Sequence, residues 1–226
     1  MTVAENLALV RQRIVAAARR AGRDPSLVRL VAVTKGVDAA AVQSCLAAGV
    51  HSCGENRVQE WLAKRSLLPA GVEWHLIGTL QLNKVKYLDS AVRLIHSLDR
   101  LELARALDAH GRKLGLAAPV LVQVNVSGEK SKHGLAPALV EPFLREVAVL
   151  PGVKVEGLMT MAPAGSPEGA RPVFRALREL AGVVRVPGVQ MTTLSMGMSD
   201  DFEVAVEEGA TLVRIGRAIF APAPQA

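Results

Sequence analysis

Three short stretches hold residue types that could do chemistry together. In RLVAVTKGV an apolar, strand-like run ends on the amine of Lys35, between Thr34 and Gly36. In LSMGMSDD the hydroxyls of Ser195 and Ser199 flank Gly197, with a helix start at about Asp200, and in VRIGRAIF a second helix-like segment opens on Arg217 directly after Gly216. A lysine at the mouth of a buried structure loses water, and desolvation favours the neutral amine that attacks an aldehyde or ketone to give a Schiff base. The alternative is a strand-end lysine that reaches back to water or pairs with Glu55. Glycine lets the backbone approach an anion closely, and the free N–H groups of helix N-termini bind phosphate. The other reading of the two serine and glycine segments is a pair of ordinary caps, with Ser199 or Asp200 as N-cap and Glu203 completing a capping box. Asp200 and Asp201 would oppose an anion and are expected to face solvent.

An amine near residue 35 and an anion site near residues 195–217 meet only if the fold closes the chain on itself. Eight apolar runs recur along it: LVRLVAVT, VHSCG, EWHLIG, RLIHSL, PVLVQVNV, VKVEGLMTM, VQMTTLSM and TLVRIG. Helix-like segments such as DAAAVQSCLAAG, DRLELARALDAHGRKLG and GARPVFRALRELAGV separate them, several opening on Asp, Asn or Pro and closing on Gly. Strands alternating with helices imply parallel βαβ units, and near-continuous apolar strands imply burial on both faces. The count favours a single (β/α)8 TIM barrel of the α/β class over a doubly wound open sheet. It is expected to form one domain over residues 1–226, with an extra amphipathic N-terminal helix over residues 1–21 and a short tail over 221–226. Chemistry in a barrel belongs at the C-terminal strand ends, where the loops after strands seven and eight are a recurrent phosphate site.

Composition narrows the classes. The formal charge of +6 invites a nucleic-acid reading, but aromatics are 3 % and the basic residues are dispersed, so neither a basic stripe nor stacking platforms are present. No nucleic-acid partner is expected, although a mildly basic field suits a phosphorylated small ligand. No run approaches the roughly 18 apolar residues of a membrane span, and the N-terminus is amphipathic rather than a leader. Cys45 and Cys53 lie in no metal-type pairing and read as reduced core thiols, so a cytoplasmic protein with no membrane partner is expected, a monomer in its simplest form. His51 and His75 sit inside apolar runs and read as hydrogen-bonded core histidines, and Tyr87 reads as a packing residue.

The segments LVAVTKG, GENRVQE, WHLIGTLQLNK, HSLDR, LVQVNVSGEKSKHG, GLMTMAP and LSMGMSDDFEVAVEEGATLVRIGRAIF, in this order and over nearly the whole chain, closely resemble the pyridoxal phosphate homeostasis protein family. The resemblance implies an alanine racemase N-terminal-domain-like barrel and pyridoxal 5′-phosphate (PLP) as ligand. It implies that Lys35 is the Schiff-base lysine, with PLP covalent to it. Ser195 and Ser199, with backbone groups around Gly197, Gly216 and Arg217, resemble the phosphate cradle, and Arg214 is similar to the arginine that faces the pyridine nitrogen. Asn56 of GEN corresponds to the pocket rim. Arg217 stands where the family often has Thr or Ser, so only its backbone N–H is carried over.

Alanine racemases share the barrel but draw a second acid/base, a tyrosine, from a C-terminal β-domain of the partner subunit. The sequence runs six residues past Phe220, so no such domain is expected, and its single tyrosine, Tyr87, lies away from the expected mouth. The resemblance therefore implies a non-catalytic PLP carrier or buffer in intracellular PLP homeostasis, with apo PLP-dependent enzymes as transient partners. The alternative is a PLP-dependent enzyme acting on small amino acids, a weak racemase or lyase. Lys84, Lys130 and Lys132, in other mouth loops, are the alternative amines.

Overall fold

Thr2 and Glu5 start the first helix by reciprocal capping. Thr2 Oγ1 accepts the Glu5 N–H at 3.2 Å, and a Glu5 carboxylate oxygen accepts the Thr2 N–H at 2.7 Å. Helix α1 runs over Val3–Arg20 and buries Leu7, Val10, Ile14 and Ala17, the stripe that helical spacing predicts. The computed structural model describes residues 1–129 and 132–221. Lys130 and residues 222–226 of the expected tail lie outside the described residues.

Each of the eight apolar runs contains a strand: β1 (Arg29–Val33), β2 (Ser52–Glu55), β3 (Glu73–Leu76), β4 (Val92–Leu98), β5 (Ala118–Gln123), β6 (Val153–Met159), β7 (Thr193–Ser195) and β8 (Leu212–Ile215). All neighbours pair in parallel in chain order, and β1 closes onto β8 with Arg29 opposite Leu212 and Ala32 opposite Ile215. That closure excludes the open doubly wound sheet. Helices α2 (Ala39–Ala47), α3 (Val58–Arg65), α4 (Leu101–Leu114), α5 (Val140–Val147), α6 (Pro167–Val183), α7 (Phe202–Glu207) and α8 (Arg217–Phe220) follow β1, β2, β4, β5, β6, β7 and β8. After β3 the connection is a 3₁₀ helix, Leu82–Tyr87. Tyr87 at its end is 47 % exposed, with Lys86 Nζ 5.2 Å from its ring centroid, so it is not the packing residue expected.

Burial on both strand faces divides the core in two. Val31, Leu94, Leu121, Met159 and Leu212 fill the barrel, while a larger layer packs the strands' outer faces against the helices. Each such buried side chain stabilises the fold by about 1.5–3 kcal/mol relative to exposure. Cys45 of α2 and Cys53 of β2 are free thiols in the outer layer. His51, expected in the core, is exposed. Among the described residues, no helix is long and apolar enough to cross a membrane.

Charge ties the outer helices together. Arg20 of α1 and Arg171 of α6 each reach Glu207 of α7 at 2.7 Å. Glu208, next along, receives Arg171, Arg175 and Arg178, which share one face of α6. The hydrogen bond from Arg175 is the main cause holding the Glu208 carboxyl below its ordinary value. A carboxyl depressed on folding stabilises above its unfolded pKa and loses that contribution as pH falls through the folded one. Glu208→Gln is therefore expected to cost about 1–3 kcal/mol near neutral pH. The cost should shrink toward zero in acid, read from urea midpoints across the pH range.

Candidate functional site

A cleft of ≈ 250 Å³ opens at the C-terminal ends of the strands. Lys35, just past β1, lines it together with Asn56, Gln123, Met161, Met198 and Arg214. Lys35 is exposed, so the barrel walls do not supply the desolvation expected of a lysine at the mouth. Its predecessor Thr34 is fully buried and firmly held. Thr34 Oγ1 donates to Glu55 Oε1 at 2.6 Å, and Lys64 Nζ of α3 donates both to that oxygen, at 2.7 Å, and to the Thr34 carbonyl. Glu55 is 0 % exposed and its Oε2 has no partner among the described residues. Burial raises the Glu55 carboxyl above its ordinary value against the opposing bonds from Lys64 and Thr34. Glu55 thus pairs with Lys64, not with Lys35, and anchors the peptide that carries Lys35.

Arg214 belongs to a chain of polar groups inside the barrel. Its Nη1 donates to Ser195 Oγ at 2.5 Å and its Nη2 to the Thr160 carbonyl at 3.0 Å. Ser195 Oγ lies 2.9 Å from His96 Nδ1, and His96 Nε2 lies 2.9 Å from His75 Nδ1. Burial first, then neighbouring cations, pulls His75 down to about 3 and His96 well below its ordinary value, so both imidazoles are neutral. The assignment that leaves no hydroxyl proton unused runs one way, from Arg214 to Ser195 to His96 to His75. Burial also pulls Arg214 down to about 10, against the carboxylate of Asp201.

Ser195, expected beside Ser199 in a phosphate cradle, is fully buried and its hydroxyl serves Arg214 and His96, so it holds the arginine from within the barrel. Ser199 does join the loop after β8, its Oγ accepting the Ala218 N–H at 3.2 Å. The Gly197 carbonyl accepts the Arg214 N–H at 3.0 Å. Gly197 has φ +92°, and a Cβ there would stand 2.6 Å from Ala205 Cβ, so the turn admits no side chain. At Gly216 a Cβ would stand 3.2 Å from Val33 Cβ, on the cleft wall. Arg217 is exposed and pairs with Asp200, linking the two loops. Asp200 faces solvent as expected, but Asp201 is buried, its Oδ1 accepting the Met198 N–H at 2.6 Å to close the turn. Neither Ser199 nor Asp200 caps α7, which starts after Asp201 with no side-chain cap. With six and four residues, α7 and α8 carry weak dipoles, so the loops before them offer individual N–H and hydroxyl groups rather than a helix field.

Residues 6–224 match the family model of the alanine racemase N-terminal domain. The alanine racemase of Corynebacterium glutamicum shares this fold at a TM-score of 0.69 and 15 % identity, over 96 % of this chain and 62 % of that one. Sequence likeness is closer to a protein of Aquifex aeolicus named pyridoxal phosphate homeostasis protein. It is 46 % identical over 223 residues, covering 97 % of this chain and 98 % of the relative. The chain belongs to the pyridoxal phosphate homeostasis protein family. For this member of the family the fold match extends to PipY of Synechococcus elongatus, solved with PLP bound. PipY has a TM-score of 0.83 and 36 % identity, over 97 % of this chain and all of PipY.

Two side chains of this family member, His96 and Lys64, escape a sequence reading, and Glu55 is read there with the wrong partner. His96 sits in the run RLIHSL, where inward parity with Leu94 is the one available signal. Glu55 and Lys64 lie nine residues apart, on a strand and the helix after it, and only the packing of α3 shows that they meet.

Proposed function

We propose that this chain holds pyridoxal 5′-phosphate at the barrel mouth, covalently through the Lys35 amine, and works in cofactor homeostasis as a carrier or buffer. The observation that carries the reading is the convergence of Lys35 and Arg214 on one cleft. The residues present fit the group: an exposed amine for the aldehyde, and a guanidinium with two N–H directions already fixed by Ser195 and Thr160. Beside them Gly216 packs so closely on Val33 of the cleft wall that a side chain there would meet it. The names of the relatives, and PLP bound in PipY, support the same ligand.

When bound, the cofactor supplies an aldehyde and a pyridine ring that can withdraw electrons from an attached amino acid. Arg214 limits the second property. With a pKa of about 10 it stays protonated at neutral pH, offers only donors, and leaves the ring nitrogen without a proton. A neutral ring stabilises a carbanion poorly, which suits holding over turnover. Ser199 Oγ and the N–H groups of Gly216 and Arg217 take the phosphate, and Asn56, Met161 and Met198 form the rim. The protein acts as a cytoplasmic monomer and meets apo PLP-dependent enzymes transiently.

Borohydride reduction of the loaded protein followed by peptide mapping should place the cofactor's mass on Lys35. Turnover of D- or L-amino acids at enzyme-like rates would refute the carrier role. Ser199→Ala should weaken retention about tenfold, the loss of one hydrogen bond to a charged group.

A further inference from the structure

The opposite end of the barrel carries a second concave site. A cavity of ≈ 460 Å³ lies at the N-terminal strand ends, lined by Arg23, Arg29, Arg93, Lys154, Glu156 and Thr193 among others. Four cations thus face one carboxylate. Glu156 is shared between Arg93, at 3.2 Å, and Lys154, at 3.3 Å. Arg23 donates to the carbonyls of Val206 and Ala210, which neutralise none of its charge. Arg29 donates to Thr193 Oγ1 at 3.1 Å and has no carboxylate within ion-pair distance among the described residues. Arg29 and Arg93 also lie near enough to His75 to add to the burial that holds it neutral.

We propose that this basal cavity binds a small polyanion of the diphosphate or triphosphate class. Guanidinium groups match phosphate oxygens in a bidentate fork, and the Ser26 and Thr193 hydroxyls add polar partners at the same wall. The site is a pocket with no aromatic lining residue, whereas a nucleic-acid backbone needs an extended basic track. It is separate from the mouth. Arg29 begins β1 and Lys35 lies just past its end, six residues on, which at about 3.3 Å per residue puts them about 20 Å apart. No small anion spans that distance, so the proposal stands independently of the ligand at Lys35.

Calorimetric titration of the full chain with inorganic pyrophosphate tests it. One saturable event is expected, and it should persist after PLP has been fixed at the mouth by borohydride. Arg29→Met should weaken it at least about tenfold, the loss of one charge-assisted fork. Lys154→Glu alters a side chain that is 68 % exposed, keeps the fold, and should weaken it several-fold. No saturable event, an event abolished by filling the mouth, or unchanged affinity in both variants would overturn the proposal. So would a single-stranded RNA that displaces pyrophosphate at lower concentration. Should Arg29→Met fail to fold, or the chain take up no PLP, Lys154→Glu decides alone.

Discussion

Lys35→Ala is expected to remove the covalent cofactor adduct entirely. The purified variant should lack visible absorption, and borohydride should fix no cofactor mass on it. Of the other mouth amines among the described residues, Lys132 Nζ donates to the Ala162 carbonyl at 3.3 Å, and Lys84 lines a neighbouring cavity with Arg57. Neither lines the cleft that holds Arg214. An undiminished adduct in the variant would move the linkage to Lys84, Lys132 or Lys130, the last outside the described residues. Stability should change by no more than about 0.5 kcal/mol, because an exposed side chain with no ion pair among the described residues is being truncated. The comparison therefore separates loss of chemistry from loss of fold.

The second large effect is expected at a residue that touches no ligand. Lys64→Met leaves Glu55, fully buried, without its cation, and removing one partner of such a pair costs about 3–5 kcal/mol. The pH dependence carries the sign. Glu55 is already raised on folding by its burial, and without Lys64 it rises further. A carboxyl raised on folding favours the folded state when protonated, so the deficit should be greatest at neutral pH and shrink as pH falls toward the unfolded carboxylate range. The cost at Glu208 fades in acid as well, but there because protonation ends the pull of its arginines on a depressed carboxylate, and here because it removes a buried, unpaired charge. Adding Glu55→Gln should recover much of the loss. The Thr34 carbonyl also loses its donor, so the adduct at Lys35 should form more slowly even where the variant is folded. A deficit that deepens in acid, or a double variant no better than the single, would refute the account.

The barrel was legible because its strands are buried on both faces and so read as unbroken apolar runs, while Thr2, Asp38 and Ser166 mark helix starts with side-chain caps. Lys35 was legible as a candidate because it ends a strand, whereas Asn56 and Arg214 entered through the family resemblance; all three line one cleft. What lay beyond reach was depth along the axis. Ser195, Gly197 and Ser199 share a period-two spacing, yet the first lies inside the barrel and the last in a surface loop. The partner that decides the role of Ser195, His96, is 99 residues away in sequence. His51 failed because an apolar run does not say which face a side chain takes, and Tyr87 because a helical segment in sequence does not say which side of it is covered.

The two cysteines bear on chemical selectivity. Burial pushes Cys45 up to about 11 and Cys53 up to about 12, so almost no thiolate exists at neutral pH. Sulfur is the softer and faster nucleophile toward many electrophiles, and a thiolate near an aldehyde would compete with nitrogen for it. Here both thiols are sealed between barrel and helices. The amine at the mouth therefore has no thiolate of its own chain among the described residues to compete with for an aldehyde, and the two thiols should also resist oxidants and alkylating agents until the barrel unfolds.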